Sequence, residues 1–226
     1  MFINRLLLIL AATVALAATP KVSYAESTLS QINATGSYFS NNDDHPNNDE
    51  AVSLATPQHP LSIPKKNPTP IESYRWNRRH IYIYMDTDNL QIKQAFRDAV
   101  KAWNRLDIIH FTWTKDAEQA NVFAKSGDLS AHGDNSTVGT NHHGLVSTQS
   151  SYDSAKHALL IATSILHPNE LQFTSRNFRS EVAQHELGHA LGLAHAPEYE
   201  NSVMIPRNVR SGITKLDRQT LKLLYQ

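Results

Sequence analysis

His185 to His195 reads HELGHALGLAH, and the reading of this stretch decides the fold. On a helix, His185 and His189 stand four residues apart, so both imidazoles project from one face and can hold one metal ion. Glu186 is rotated by about a hundred degrees from His185, beside that metal and not forced into ligation. His195 needs a different argument. On a continuous helix it would lie roughly 9 Å beyond His189 along the axis, too far for one ion whose ligands sit at about 2 Å. The helix must therefore end between them, and Gly192 is the residue that takes a left-handed conformation there cheaply. The chain then turns and brings His195 back. Three neutral histidines leave a fourth position open for water, the arrangement of a catalytic zinc.

A chain with twelve histidines can carry H-E-x-x-H by accident. The additional Gly192 and His195 make accident a poor account, and Ser202-Val203-Met204-Ile205-Pro206 follows at the distance of a Met-turn. From His185 to Pro206 the sequence resembles the metzincin clan and, within it, the matrixins. The resemblance implies His185, His189 and His195 as ligands of one catalytic Zn2+, Glu186 as catalytic residue, and Met204 as an apolar floor under the ligands. It also implies an α+β fold: a mixed twisted sheet with a long helix, an active-site helix and a C-terminal helix. Two positions depart from the family pattern. Ala196 stands where animal matrixins usually carry serine, and the spacing to Met204 is slightly longer. Both lie in the loop, outside the ligand set.

Composition narrows the remaining possibilities. The 226 residues are 40% hydrophobic, enough for a real core, and the formal net charge is zero, so nothing points to nucleic acid or an anionic membrane. There is no cysteine, which excludes disulfides, thiolate-bound zinc and thiol catalysis. It also excludes the pro-segment cysteine by which familiar matrixins stay latent.

Residues 1–25 read as a secretory signal peptide. Arg5 precedes the apolar run Leu6 to Ala18, and Ser23-Tyr24-Ala25 gives a small-x-small cleavage pattern ahead of Glu26. The run is short for spanning a bilayer, which takes about 20 residues, and an uncleaved membrane anchor is the other reading of it. Residues 26–70 are polar around Asp43 and Asp44, then proline-rich, and are expected to be a disordered spacer or pro-segment. Residues 71–226 form the expected catalytic domain, with order beginning near Tyr74.

Within that domain, His80 to Met85 alternates as a strand does, and Asp86 to Asn89 supplies a helix cap. Ile92, Ala95, Phe96, Ala99, Val100 and Trp103 mark one apolar helix face. Ile108 to Trp113, Ala120 to Ala124, Gly144 to Gln149 and Ala158 to Thr163 read as strands, and the active-site helix starts between Thr174 and Ser180. In the family, the strand matching Gly144 to Gln149 is an exposed edge that pairs with substrate. Thr214 to Asp217 resembles a capping box before a closing helix. His132-Gly133-Asp134, followed by His143 and His157, resembles the family's structural zinc site and implies a possible second Zn2+.

The expected protein is a secreted, extracellular, monomeric zinc metalloendopeptidase acting on protein or peptide substrate in extended conformation, with no nucleic acid and no membrane after signal cleavage. Two other readings stand beside it: a cell-wall peptide hydrolase, and a non-enzymatic secreted binding domain stapled by zinc. The intact Glu186 argues against the second, since a purely structural zinc has no use for a base.

Overall fold

The structure, a computed structural model, describes residues 56–127, 146–206 and 212–226. Strand β1 (His80–Asp86) leads into helix α1 (Leu90–Asn104), then β2 (His110–Thr114) and β3 (Val122–Ser126). Strands β4 (Val146–Asp153) and β5 (Ala158–Leu166) follow, then the short α2 (Pro168–Leu171), α3 (Arg176–Ala190) and α4 (Lys215–Leu224). The sheet order is β2-β1-β3-β5-β4; β4 runs antiparallel to β5 at one edge, and the other pairs are parallel. This is the mixed sheet with three main helices that the sequence implies.

Alternation in β1 sends Ile81 and Ile83 fully inward and leaves Tyr82 and Tyr84 half-buried. Asn89 caps α1 by accepting from the backbone N–H groups of Gln91 and Ile92 at 3.0 and 3.1 Å. All six apolar positions read from the sequence are buried on that helix. At its far end the Asn104 amide clamps Phe111 through both the N–H and the carbonyl, fixing α1 against β2. The strand limits differ from the expected ones by a few residues: β3 covers Val122–Ser126 and β4 runs on to Asp153. β2 begins at His110, because the ladder starts where His110 meets His80, and β5 runs on to Leu166, where it still pairs with Ser126 and Val146.

Helix α3 starts at its cap Ser175 and is buried continuously from Val182 to Ala190. It therefore lacks an amphipathic stripe: α1 covers one side, with Trp103 Nε1 donating to the Gln184 carbonyl at 3.0 Å, and β4 and β5 cover another. Its end is a Schellman turn. Gly192 has φ +88°, its N–H bonds to the His189 carbonyl at 2.9 Å, and the Leu193 N–H reaches back to Gly188 at 3.0 Å. The last carbonyls are also satisfied, Ala190 by Trp76 Nε1 at 2.8 Å and Leu191 by the Tyr225 hydroxyl at 2.9 Å.

Specific contacts begin well before Tyr74. Leu61 N–H bonds to the Lys156 carbonyl at 2.8 Å, Ile63 packs on the core, and Thr69 is buried against Thr220 with hydroxyls 2.8 Å apart. Prolines at 57, 60, 64, 68 and 70 preset much of this backbone, so few contacts suffice to order it. Residues 70–72 then strap the α3 turn: Ala194 N–H bonds to Pro70, Glu72 N–H to Gly192, and Ile71 bridges Leu193.

A Cβ at position 192 would adopt a left-handed backbone and stand 2.5 Å from the Tyr74 carbonyl oxygen. Gly192→Ala is expected to destabilise the protein by ~2 kcal/mol or more, since the conformation alone costs an L-residue about 1–2 kcal/mol. Urea unfolding measures this, and an unchanged midpoint would show that the turn tolerates a side chain.

Candidate metal centre

Helix α3 delivers His185 and His189 to one face, and the turn after Gly192 returns His195 to them. Ring centroids lie 4.8, 5.3 and 4.7 Å apart for the three pairs, and one ligand atom from each imidazole falls within 4.8 Å of the others. Among the described residues this is the one group of His, Cys, Asp or Glu close enough to hold a metal ion.

Backbone carbonyls set the histidine tautomers. His185 Nδ1 lies 2.7 Å from the Val203 carbonyl and His189 Nδ1 lies 3.0 Å from the Leu193 carbonyl. A carbonyl only accepts, so both Nδ1 atoms carry protons and both Nε2 atoms present lone pairs. Those two Nε2 atoms face one another at 3.1 Å. Two lone pairs at that distance repel unless a cation shares them. Two nitrogens on a tetrahedral zinc are about 3.3 Å apart. The residues fit zinc in donor type, tautomer and spacing.

Glu186 is fully buried. Its Oε2 accepts from the Thr148 hydroxyl at 2.7 Å, while Oε1 is buried with no hydrogen-bond partner among the described residues. The Thr148 hydroxyl also lies 3.0 Å from the Ser164 hydroxyl and from the Glu186 main-chain carbonyl.

Met204 lies wholly in the core against Gly188, where an added Cβ would collide with its sulfur, and Trp103 closes the same spot. Gly188 is thus a site residue that the sequence shows only as a variable position of H-E-x-x-H. The Met204 loop is held twice more. Ala196 N–H bonds to the Met204 carbonyl at 2.9 Å, and the buried Asp217 carboxylate accepts from the Val203 N–H at 2.9 Å and from the Ser202 hydroxyl. Asp217 also closes the expected capping box with Thr214. Sequence reasoning found that box but not its second task.

Of the residues suggested for a second zinc, His132, Asp134 and His143 lie outside the described residues. His157 is described: it has φ +53° and places Nδ1 2.8 Å from the Ser73 carbonyl.

Burial, then the neighbouring His185 and His195, holds His189 well below the ordinary 6.5. Burial pushes Glu186 from 4.5 up to about 8, with the Thr148 hydrogen bond opposing the shift. A cation among the imidazoles acts on Glu186 in the opposite sense to burial, favouring the carboxylate. In metal-free protein the two groups limit stability from opposite sides. The depressed His189 imposes no penalty above pH 6.5, and stability is lost as pH falls from there towards its folded-state pKa. The raised Glu186 imposes none below 4.5, and stability is lost progressively as pH rises from there to about 8. In chelated protein the two effects oppose one another between about pH 4.5 and 6.5, so stability is expected to be greatest there and to fall from about 6.5 to about 8, with Glu186→Gln removing that fall and keeping the acid loss. Urea midpoints between about pH 5 and 9 check this. An alkaline loss of equal size in both proteins would assign it elsewhere.

No curated protein sequence matches the chain. The family model described as Matrixin matches residues 75–226, a span that takes in the sheet, the three long helices, the histidine triad and the Met204 loop. The chain belongs to the matrixins, a family of zinc metallopeptidases.

Proposed function

We propose that this protein is a secreted endopeptidase in which His185, His189 and His195 hold the zinc and Glu186 is the general base. One observation carries the proposal: two buried imidazoles with carbonyl-fixed tautomers aim their Nε2 lone pairs at a single point. Zinc, when bound, supplies a Lewis acid that polarises the scissile carbonyl and lowers the pKa of a water towards about 7. Glu186 Oε1 takes the proton of the attacking water, and the same oxygen then delivers it to the leaving amine. No side chain forms a covalent bond to substrate.

The sheet supplies the docking edge. Among the described residues β4 pairs only with β5, so its outer side can take an extended peptide through main-chain hydrogen bonds. Such pairing suits protein or peptide substrates and asks nothing of a second copy, so the enzyme acts as a monomer in this reading. A second, structural zinc on His132, Asp134, His143 and His157 would have to use His157 Nε2, because Nδ1 faces the Ser73 carbonyl. Residues 1–25 direct export and leave Glu26 as the first residue. No described helix is long and apolar enough to cross a membrane.

Glu186→Ala is expected to keep about one zinc per chain yet lose roughly 10²–10⁴-fold in casein cleavage, because the carboxylate is not a ligand. Near-parental cleavage by the purified variant would sink the general-base role. N-terminal sequencing of exported protein is expected to begin at Glu26, and an exported chain that retains residues 1–25 would remove the cleaved-leader reading.

A further inference from the structure

Glu186 is the only fully buried carboxylate among the described residues on α3, and the sheet, not the helix, decides which way it points. Its Oε2 lies 2.7 Å from the Thr148 hydroxyl on β4. Thr148 is itself almost wholly buried, and its neighbour Ser164 on β5 is fully so. The two residues stand directly opposite in the antiparallel ladder, with hydroxyls 3.0 Å apart.

The proton count fixes the direction of this chain. Thr148 has one hydroxyl proton and three acceptors within reach: Glu186 Oε2, the Glu186 carbonyl at 3.0 Å, and Ser164 Oγ. With a cation among the imidazoles favouring the ionised form, the carboxylate oxygen is both the nearest acceptor and charged, so it receives the proton. Ser164 then donates to the Thr148 oxygen at 3.0 Å, closer than the Glu186 main-chain carbonyl at 3.5 Å, because Thr148 has no second proton to give. The result is a directed series from Ser164 to Thr148 to Glu186 Oε2. It leaves Oε1, buried and with no partner among the described residues, as the oxygen presented to the reaction.

We infer that Thr148 and Ser164 are positioning residues for the general base: Thr148 pins Oε2 so that Oε1 alone exchanges the proton, and Ser164 fixes the Thr148 rotamer. The inference rests on the general-base reading of Glu186. It adds a link between substrate and base, because Thr148 belongs to the edge strand on which the peptide is proposed to dock. The strand that aligns the scissile bond is then the strand that aims the carboxylate, and the two are held in one register.

Thr148→Val removes the hydroxyl at nearly constant shape and suits a strand. It is expected to lower kcat roughly ten- to a hundredfold, the worth of a hydrogen bond to a charged group, with KM within about twofold and zinc still near one per chain. Thr148→Ser restores the hydroxyl and is expected within about threefold of the parent. Ser164→Ala is expected to lose less than Thr148→Val, and it gives the same kcat-against-KM reading if the valine variant does not fold. In a Glu186→Ala background, Thr148→Val is expected to add nothing, since it acts only through the carboxylate. Infrared difference spectra of zinc-loaded protein, parent minus Glu186→Ala, give a readout apart from turnover. The Glu186 carboxylate band is expected to shift in Thr148→Val and stay in place in Thr148→Ser. A parental kcat and an unshifted band in Thr148→Val, beside an inactive Glu186→Ala, would overturn the positioning role alone. An equal loss in Thr148→Ser, or a further loss in the Glu186→Ala background, would also overturn it. An active Glu186→Ala would remove the general-base reading on which it rests.

Discussion

The carbonyl oxygens of Val203 and Leu193 accept from Nδ1 of His185 and His189, and most of the structure serves to place those two acceptors. Val203 is held by the Asp217 carboxylate, which is itself fixed by the capping box that starts α4. Leu193 is held by the Schellman turn at Gly192 and by the bridge from Ile71. Thr69 and Tyr225 then tie that turn to α4: Thr69 is bonded to Thr220, and the Tyr225 hydroxyl is bonded to the Leu191 carbonyl. Residues from 69–76 and from 214–225 therefore converge on the orientation of two imidazole rings. With tautomers fixed in this way, the metal-free site confronts like lone pairs, and the cation that relieves them stabilises the folded chain directly. In a protein without a cysteine, that contribution stands where a disulfide would.

Burial of α3 has a chemical consequence. From Val182 to Ala190 the helix is buried throughout, so His185 and Glu186 are held away from bulk water and the polarity of the site is set by a few fixed groups. Gly188 makes this possible by letting Met204 and Trp103 approach the helix backbone where any side chain would hold them off. Close packing there keeps the turns bearing His185 and His189 rigid relative to the Met204 loop, and the Val203 carbonyl in that loop stays in register with His185.

Much of this was legible in the sequence because it rests on local rules. Helical spacing placed His185 and His189 together, reach along the axis required a break at Gly192, and Thr214 with Asp217 announced a capped helix. Alternation marked β1, and three- and four-residue spacing marked the buried face of α1. What was not legible depends on groups without sequence identity or on distant partners. A carbonyl that sets a tautomer belongs to whichever residue the fold brings there, so Val203 and Leu193 carry no signal. Thr148 and Ser164 look like ordinary strand residues until β4 and β5 pair and lay them under Glu186. Residues 56–70 read as open chain because composition reports how little they bury, whereas proline also lowers what ordering them costs.

The loop from His195 to Met204 shows how the chain departs from the family pattern without disturbing the centre. Both of its ends are fixed by one hydrogen bond, from the Ala196 N–H to the Met204 carbonyl, and Ala196 is almost wholly buried. A side chain that small fits the core at this point and brings no hydroxyl that would need its own partner. The first of the intervening residues leave the core: Pro197 to Glu200 close a turn through the Glu200 N–H and the Pro197 carbonyl at 3.0 Å, and Tyr199 stands 87% exposed. Extra length between the anchors is taken up outward, as a surface turn, and costs little in closure because the entropy of a loop grows only slowly with its length. The constraint that matters is the pair of anchors and not the number of residues between them. That is why a longer spacing still delivers His195 to the ring of histidines and the Val203 carbonyl to His185.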